Sequence, residues 1–208
     1  ANLPDTLLLL GPNHTGQGAP LAVWPDGDWR LPGGGLPVDA ALAARLIARV
    51  PGFTADTAAH AGEHSLEVVL PFVRHFNNNA RIVPVAVSLR DPAALIAAGE
   101  AVADVLRGWP EPVGIVVSSD MSHYLPHDKA KEQDALALQH VLELDAAGLH
   151  ETVARHRISM CGVLPMTLGL AAARALGAAE ADLTAYSTSG DASGDYTSVV
   201  GYAGVLVQ

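Results

Sequence analysis

Four short clusters in this chain hold the residue types that do acid–base, nucleophilic or metal chemistry. The first is Gly11-Pro12-Asn13-His14. The second is Ser118-Ser119-Asp120-Met121-Ser122-His123, the third Met160-Cys161-Gly162, and the fourth Glu63-His64-Ser65-Leu66-Glu67. Imidazole and thiolate ligate transition metals, and the same groups serve as general base and nucleophile. Each cluster also has an ordinary reading. His14 can be a loop or capping histidine. Asp120 can cap a helix beside an unrelated His123, although three residues of spacing lets the pair meet across a turn. His64 and Glu67 stand one helical turn apart and can share a face, and Glu63 suits a helix start. Cys161 can be a small buried apolar side chain, but at a helix N-terminus its thiol pKa is expected to fall.

The elements between the clusters decide whether they meet. Residues 7–10 form a short apolar run closed by Gly11-Pro12, which reads as a buried strand. Residues 15–37 are rich in Gly, Pro and Trp and read as a long loop with a short strand at 21–24. Asp39 caps an expected helix to about residue 50. Residues 63–76 read as a second helix that Pro71 bends or breaks. Residues 81–87 read as a strand, and Asp91-Pro92 opens a helix to about residue 107. Residues 113–118 read as a strand. Helices follow at about 128–144, from Asp145 to about 156, and from Cys161 to 176, and strands at 183–188 and 198–207 close the chain, with turns at Gly190-Asp191 and Gly194-Asp195. This alternation predicts an α/β fold with helices on both faces of a sheet. In such sheets the carboxyl ends of strands gather ligand-binding loops, and the first two clusters directly follow strands.

Composition narrows the function classes. The chain has 208 residues, a formal charge of −10 and no cluster among its 12 Lys and Arg residues. Nucleic acid and anionic membrane partners are therefore not expected. A single cysteine excludes an internal disulfide framework. With no basic segment leading into a long apolar stretch near residue 1, a cytoplasmic location is expected. Neither a phosphate-binding Gly-rich motif with Lys-Ser/Thr nor a Gly-x-Ser-x-Gly elbow occurs. The other histidines, His60, His75, His127, His140, His150 and His156, lack comparable polar neighbours and carry no expected role.

In their order along the chain, LLGPNHTGQG, GEHSLEVVLPF, VVSSDMSHY, SMCGVLPM and SVVGYAG resemble the Memo family, also named AmmeMemoRadiSam system protein B. The resemblance runs from Leu9 to Gly204 and implies one Memo-like domain over residues 1–208. It implies a three-layer αβα sandwich around a mixed, mostly parallel sheet, similar to class III extradiol dioxygenases. By the same resemblance His14 and Cys161 are metal ligands for Fe(II) or copper. Asp120 and His123 lie beside the metal, with His123 the acid/base group and Asp120 orienting it, and His64 with Glu67 lines or supports the pocket. Family members carry an earlier strand ending in Pro-His-Ala-Gly, whose histidine is a further ligand. This sequence shows no such segment: either residues upstream are missing, or the site lacks one ligand and the sheet one strand, in which case weak or absent metal binding and an exposed sheet edge are expected.

Three functions follow as expectations. The first is a metal-dependent oxidoreductase, dioxygenase-like, acting on a small molecule. The second is a non-catalytic accessory protein with AMMECR-type and radical SAM partners. The third is a metal-free thiol enzyme with Cys161 as nucleophile and His14 or His123 as base.

Overall fold

The computed structural model describes residues 4–208, so the first three residues of the expected 1–208 domain lie outside it. A five-stranded sheet forms the centre. Its strands are β1 (Thr6–Pro12), β2 (Leu21–Val23), β5 (Phe53–Ala55), β6 (Arg81–Val87) and β7 (Val113–Val117), in the order β5-β2-β6-β1-β7. β1 runs parallel to β6 and β7, β2 runs parallel to β5, and β2 is antiparallel to β6. The sheet is thus mixed and mostly parallel. Continuous apolar runs such as Leu7, Leu8, Leu9 and Leu10 are the signature of a strand covered on both faces, and all four are fully buried.

The two covering layers can be assigned from neighbouring residues of β1, since side chains alternate faces along a strand. Leu10 faces helix α6 (Val163–Leu176), where a Cβ on Gly169 would meet it. The next residue, Gly11, faces Leu66, whose side chain would collide with a Cβ there. One layer therefore comprises α6 with α3 (Pro92–Arg107) and α1 (Ala40–Arg49), packed side by side. The other holds Leu66 and the short helix α2 (Leu70–Phe76), whose Leu70 and Val73 join the same core. The result is a three-layer αβα sandwich.

A second core lies beyond α6. It is built by α4 (His127–Leu142), α5 (Ala146–His156) and a three-stranded antiparallel sheet of β8 (His123–Leu125), β10 (Val199–Val207) and β9 (Ala181–Thr188). Buried Asp134 of α4 ties these parts together by accepting hydrogen bonds from the Ser122 amide and the Tyr186 hydroxyl, each at 2.8 Å. Burial and the neighbouring Asp134 carboxylate push the Tyr186 phenol well above its ordinary pKa. Gly201 is required there, because a Cβ would run into the Asp134 carboxylate.

Several sequence expectations need correction. The 15–37 stretch is not one loop: β3 (Asp28–Leu31) and β4 (Gly34–Pro37) form a hairpin, with Gly33 in the left-handed region at its turn. Its Trp29 and Leu36 pair across the strands and pack on the core. Residues 63–76 are not one helix. Residues 63–66 form irregular turns, a 3-10 turn covers Glu67–Val69, and Pro71 lies in the first turn of α2 rather than at a bend. The proline ring fits a first helical turn because that amide needs no partner. The Gly190–Gly194 segment is a single-turn helix, α7 (Ser189–Ser193), closed by a capping box between Thr188 and Asp191. Among the described residues, no helix is long and apolar enough to cross a membrane.

Candidate metal and acid–base site

The first two clusters follow neighbouring strands. Parallel pairing of β1 with β7 continues one residue past Val117, where the Ser118 amide donates to the Leu10 carbonyl at 2.8 Å. The chain segments carrying His14 and Asp120 therefore leave the sheet side by side. Ser65, from the fourth cluster, joins them: its hydroxyl donates to the Pro12 carbonyl at 2.8 Å, and its own carbonyl accepts from the Ser118 hydroxyl at 2.7 Å. Three segments distant in sequence are held together by two hydroxyls.

On the β1 side, His14, Glu63 and His64 bring their donor atoms within 4.8 Å of one another. Glu63 is buried while both imidazoles are exposed. Its carboxylate accepts from the amides of His14, His64 and Ser65, and it meets the His14 ring at Nδ1, 2.9 Å away. Burial alone would raise the Glu63 pKa. Bonds from the His14 ring and from the Ser65 and His14 amides, with the charge of His14, outweigh it and pull the value from 4.5 down to about 2. His64 stacks flat on His14, with ring centroids 5.2 Å apart. Glu63 is the residue that sequence reading missed, since an acid before an apolar segment looks like a helix start. Glu67 does not join the group. It is exposed and, with Glu63, lines a groove of about 350 Å3 against Trp24, Trp29 and His60. His64 and Glu67 share no helix face, because His64 lies before Glu67, where the helical part of this segment begins.

On the β7 side, Asp120, His123 and Cys161 also bring one donor atom each within 4.8 Å. The Asp120 amide donates to Cys161 Sγ at 3.1 Å, and Asp120 Oδ2 lies 3.5 Å from His123 Nε2. The opposite ring nitrogen, His123 Nδ1, is 2.7 Å from the Ser159 carbonyl. A carbonyl oxygen can only accept, so Nδ1 carries the hydrogen and Nε2 is the ring nitrogen that faces Asp120. Tyr124, next in the chain, has φ +59°. Left-handed backbone is strained for an aromatic residue and turns the chain sharply after His123.

Cys161 stands just before Gly162, the N-cap of α6, where a lowered thiol pKa was expected. Instead burial dominates and pushes the thiol above its ordinary value. The Asp120 amide bond opposes this, and the Asp120 charge adds to it. The expectation of an activated free thiolate is therefore corrected. Gly162 packs so closely against Ser118 and Ser119 that a Cβ would strike them, and its amide donates to Ser119 Oγ at 3.0 Å. Beside this group a cleft of about 220 Å3 is lined by apolar side chains that include Val117, Met121, Met160 and Met166.

Residues 1–206 match the family model described as Memo-like protein. This chain belongs to the Memo family. A MEMO1 family protein of Methanopyrus kandleri is 41% identical over 98% of this chain and 72% of its own length. One from Methanosarcina barkeri is 38% identical over 98% of this chain and 76% of its own length. One from Methanothermobacter thermautotrophicus is 36% identical over 97% and 73%. The five sequence segments that carry the resemblance thus sit in a Memo-family chain, and four of them supply the residues gathered at the ends of β1 and β7.

The donor set suits a transition metal. A soft thiolate and a borderline imidazole within ligand reach of one another favour iron, copper or zinc over magnesium or calcium, and the carboxylate beside them is a harder donor that iron and zinc also accept. The Glu63 oxygens, by contrast, are taken up by three amides and an imidazole. Glu63 is therefore a support for histidine rather than a metal ligand itself.

Proposed function

We propose that this Memo-family chain carries a non-haem iron or copper site, with Cys161 and His14 as metal ligands, and acts as a metal-dependent, dioxygenase-like oxidoreductase on a small molecule. The convergence of Cys161 with Asp120 and His123 at the end of β7 is the observation that supports this most, while His14 stands in the neighbouring group with Glu63 and His64 at the end of β1. A bound metal of this kind supplies redox chemistry and Lewis acidity. The chain's own residues do the rest. His123 holds or releases a proton at Nε2, and Asp120 steadies the charged ring. The apolar cleft beside Met121 and Met160 offers a dry place for a substrate. His64 lines the approach to His14. Because burial keeps the free Cys161 thiol protonated, metal binding releases a proton and tightens as pH rises.

A second reading, a non-catalytic accessory protein with an AMMECR-type or radical SAM partner, draws support from α2. Its Phe72 and Phe76 are 68% and 72% exposed, unusual for side chains of that size.

Elemental analysis of anaerobically purified protein, beside a Cys161→Ser variant, tests the first reading. Near-stoichiometric iron or copper that disappears in the variant is expected, with oxygen uptake on adding catechol-like compounds. Protein that holds no metal even after anaerobic loading with iron or copper sinks the oxidoreductase reading and leaves the accessory one.

A further inference from the structure

Among the described residues, Glu63 is tied into the site more heavily than its sequence position explains. It reaches back 49 residues to bond both the amide and the ring of His14. Amides can only donate, and three of them point at this one carboxylate. The arrangement therefore holds Glu63 as an acceptor. An acceptor facing His14 Nδ1 at 2.9 Å calls for a hydrogen on that nitrogen.

We infer that Glu63 is a positioning residue that fixes His14 as the Nδ1-protonated tautomer and aims its Nε2 lone pair at the ligand position. This deepens the metal-site reading and rests on it for the use to which Nε2 is put. The neutral imidazole can carry its hydrogen on either nitrogen, and only the tautomer with Nδ1–H leaves Nε2 free to coordinate. A carboxylate behind a ligating imidazole also raises its basicity and fixes its ring plane. His64 does not replace Glu63 in this role. Its ring lies flat against His14 and offers no acceptor to Nδ1, and its own Nδ1 stands 3.7 Å from the same Glu63 oxygen. The two sides of the site then follow one rule, with His123 held at Nδ1 by the Ser159 carbonyl and His14 at Nδ1 by the Glu63 carboxylate, each leaving Nε2 outside that bond.

Long-range proton–nitrogen correlation spectra of ring-labelled, metal-free protein at about pH 8, above the ordinary imidazole pKa, read the tautomer directly. A His14→Gln spectrum assigns the signal. His14 is expected as the Nδ1–H form, and a Glu63→Gln variant is expected to shift it toward Nε2–H. Metal affinity, read with Co2+ alone as the probe, is expected to weaken about 10–100-fold in that variant. A wild-type His14 in the Nε2–H form overturns the inference without any variant. So does a His64→Ala protein in which His14 loses its tautomer, because the stacked ring would then be setting it. Wild-type protein with the expected tautomer but no Co2+ binding supports the positioning role and overturns the metal reading instead.

Discussion

The two donor groups at the top of the sheet solve opposite electrostatic problems. On the β1 side the acid is buried and the imidazoles are exposed: Glu63 keeps its charge because amides and His14 surround it. On the β7 side the acid is half-exposed and the sulfur half-buried: desolvation and the Asp120 charge outweigh the bonds that reach Cys161 and push its thiol up. Desolvation is common to both, and the bonds each atom receives together with the sign of its neighbour, His14 or Asp120, set the direction of each shift. One group is a permanent charge that organises backbone. The other is a stored neutral acid that gives up its proton when something better than water arrives.

This contrast can be broken one side at a time. The largest effect is expected from Cys161→Ser, which should abolish metal retention measured by elemental analysis while leaving the fold intact, since Cys161 makes few contacts that a serine cannot. Next comes Glu63→Ala. It strands the His14, His64 and Ser65 amides, and urea unfolding should show a loss of about 2–4 kcal/mol, since each buried unpaired donor costs about 1–3 kcal/mol. A loss under about half a kcal/mol would mean that these amides find other partners. Gly162→Ala should cost about 1–3 kcal/mol by overpacking against Ser118 and Ser119. It should also weaken metal binding on the β7 side while the His14 tautomer stays as it was. The smallest effect is in pH. Glu63 has a folded pKa below its unfolded value, so its stabilisation is complete above about pH 4.5 and is lost as pH falls toward about 2. Unfolding of metal-free wild type should steepen across that interval relative to Glu63→Gln. Parallel curves would place the acid sensitivity elsewhere.

His60 sharpens the same comparison from outside the site. It is buried against Trp24 and Trp29, its Nε2 meets the Ala22 carbonyl at 3.1 Å, and burial lowers its pKa from 6.5. Here the Ala22 bond, even with the charges of Asp56 and Glu63, does not outweigh burial, whereas the donors around Glu63 do. Its contribution is present above about pH 6.5 and fades below it.

What the sequence disclosed follows from how local each signal is. Asp91-Pro92 and Asp145 announced their helices because capping is written within three residues, and the structure shows both aspartates bonding the expected amides. β6 was legible as a run of apolar and β-branched residues. The β3–β4 hairpin was hidden because its glycines and prolines also describe a loop, and only pairing of Trp29 with Leu36 separates the two. At the site, strand-end logic placed His14 and Asp120 just after strands, and the family segments set Asp120 and Cys161 at one site; that the two strands are neighbours and that the Asp120 amide meets Cys161 emerge only in the structure. Glu63 was illegible because its partner His14 is 49 residues away, and no local pattern records that distance. The direction of the Cys161 shift was misread because position beside a helix start is visible in sequence and depth of burial is not.

The two hydroxyl bonds of Ser65 and Ser118 each span 53 residues. Such contacts close large loops, and they join the 63–66 segment to the ends of β1 and β7. The site is accordingly assembled from non-local contacts. If the irregular 63–66 segment lifts away, both groups lose a shared brace in one motion. Amide exchange at His14, Ser65 and Ser118 should then proceed at a common rate, the kinetic mark of one cooperative unit made from three distant pieces of chain.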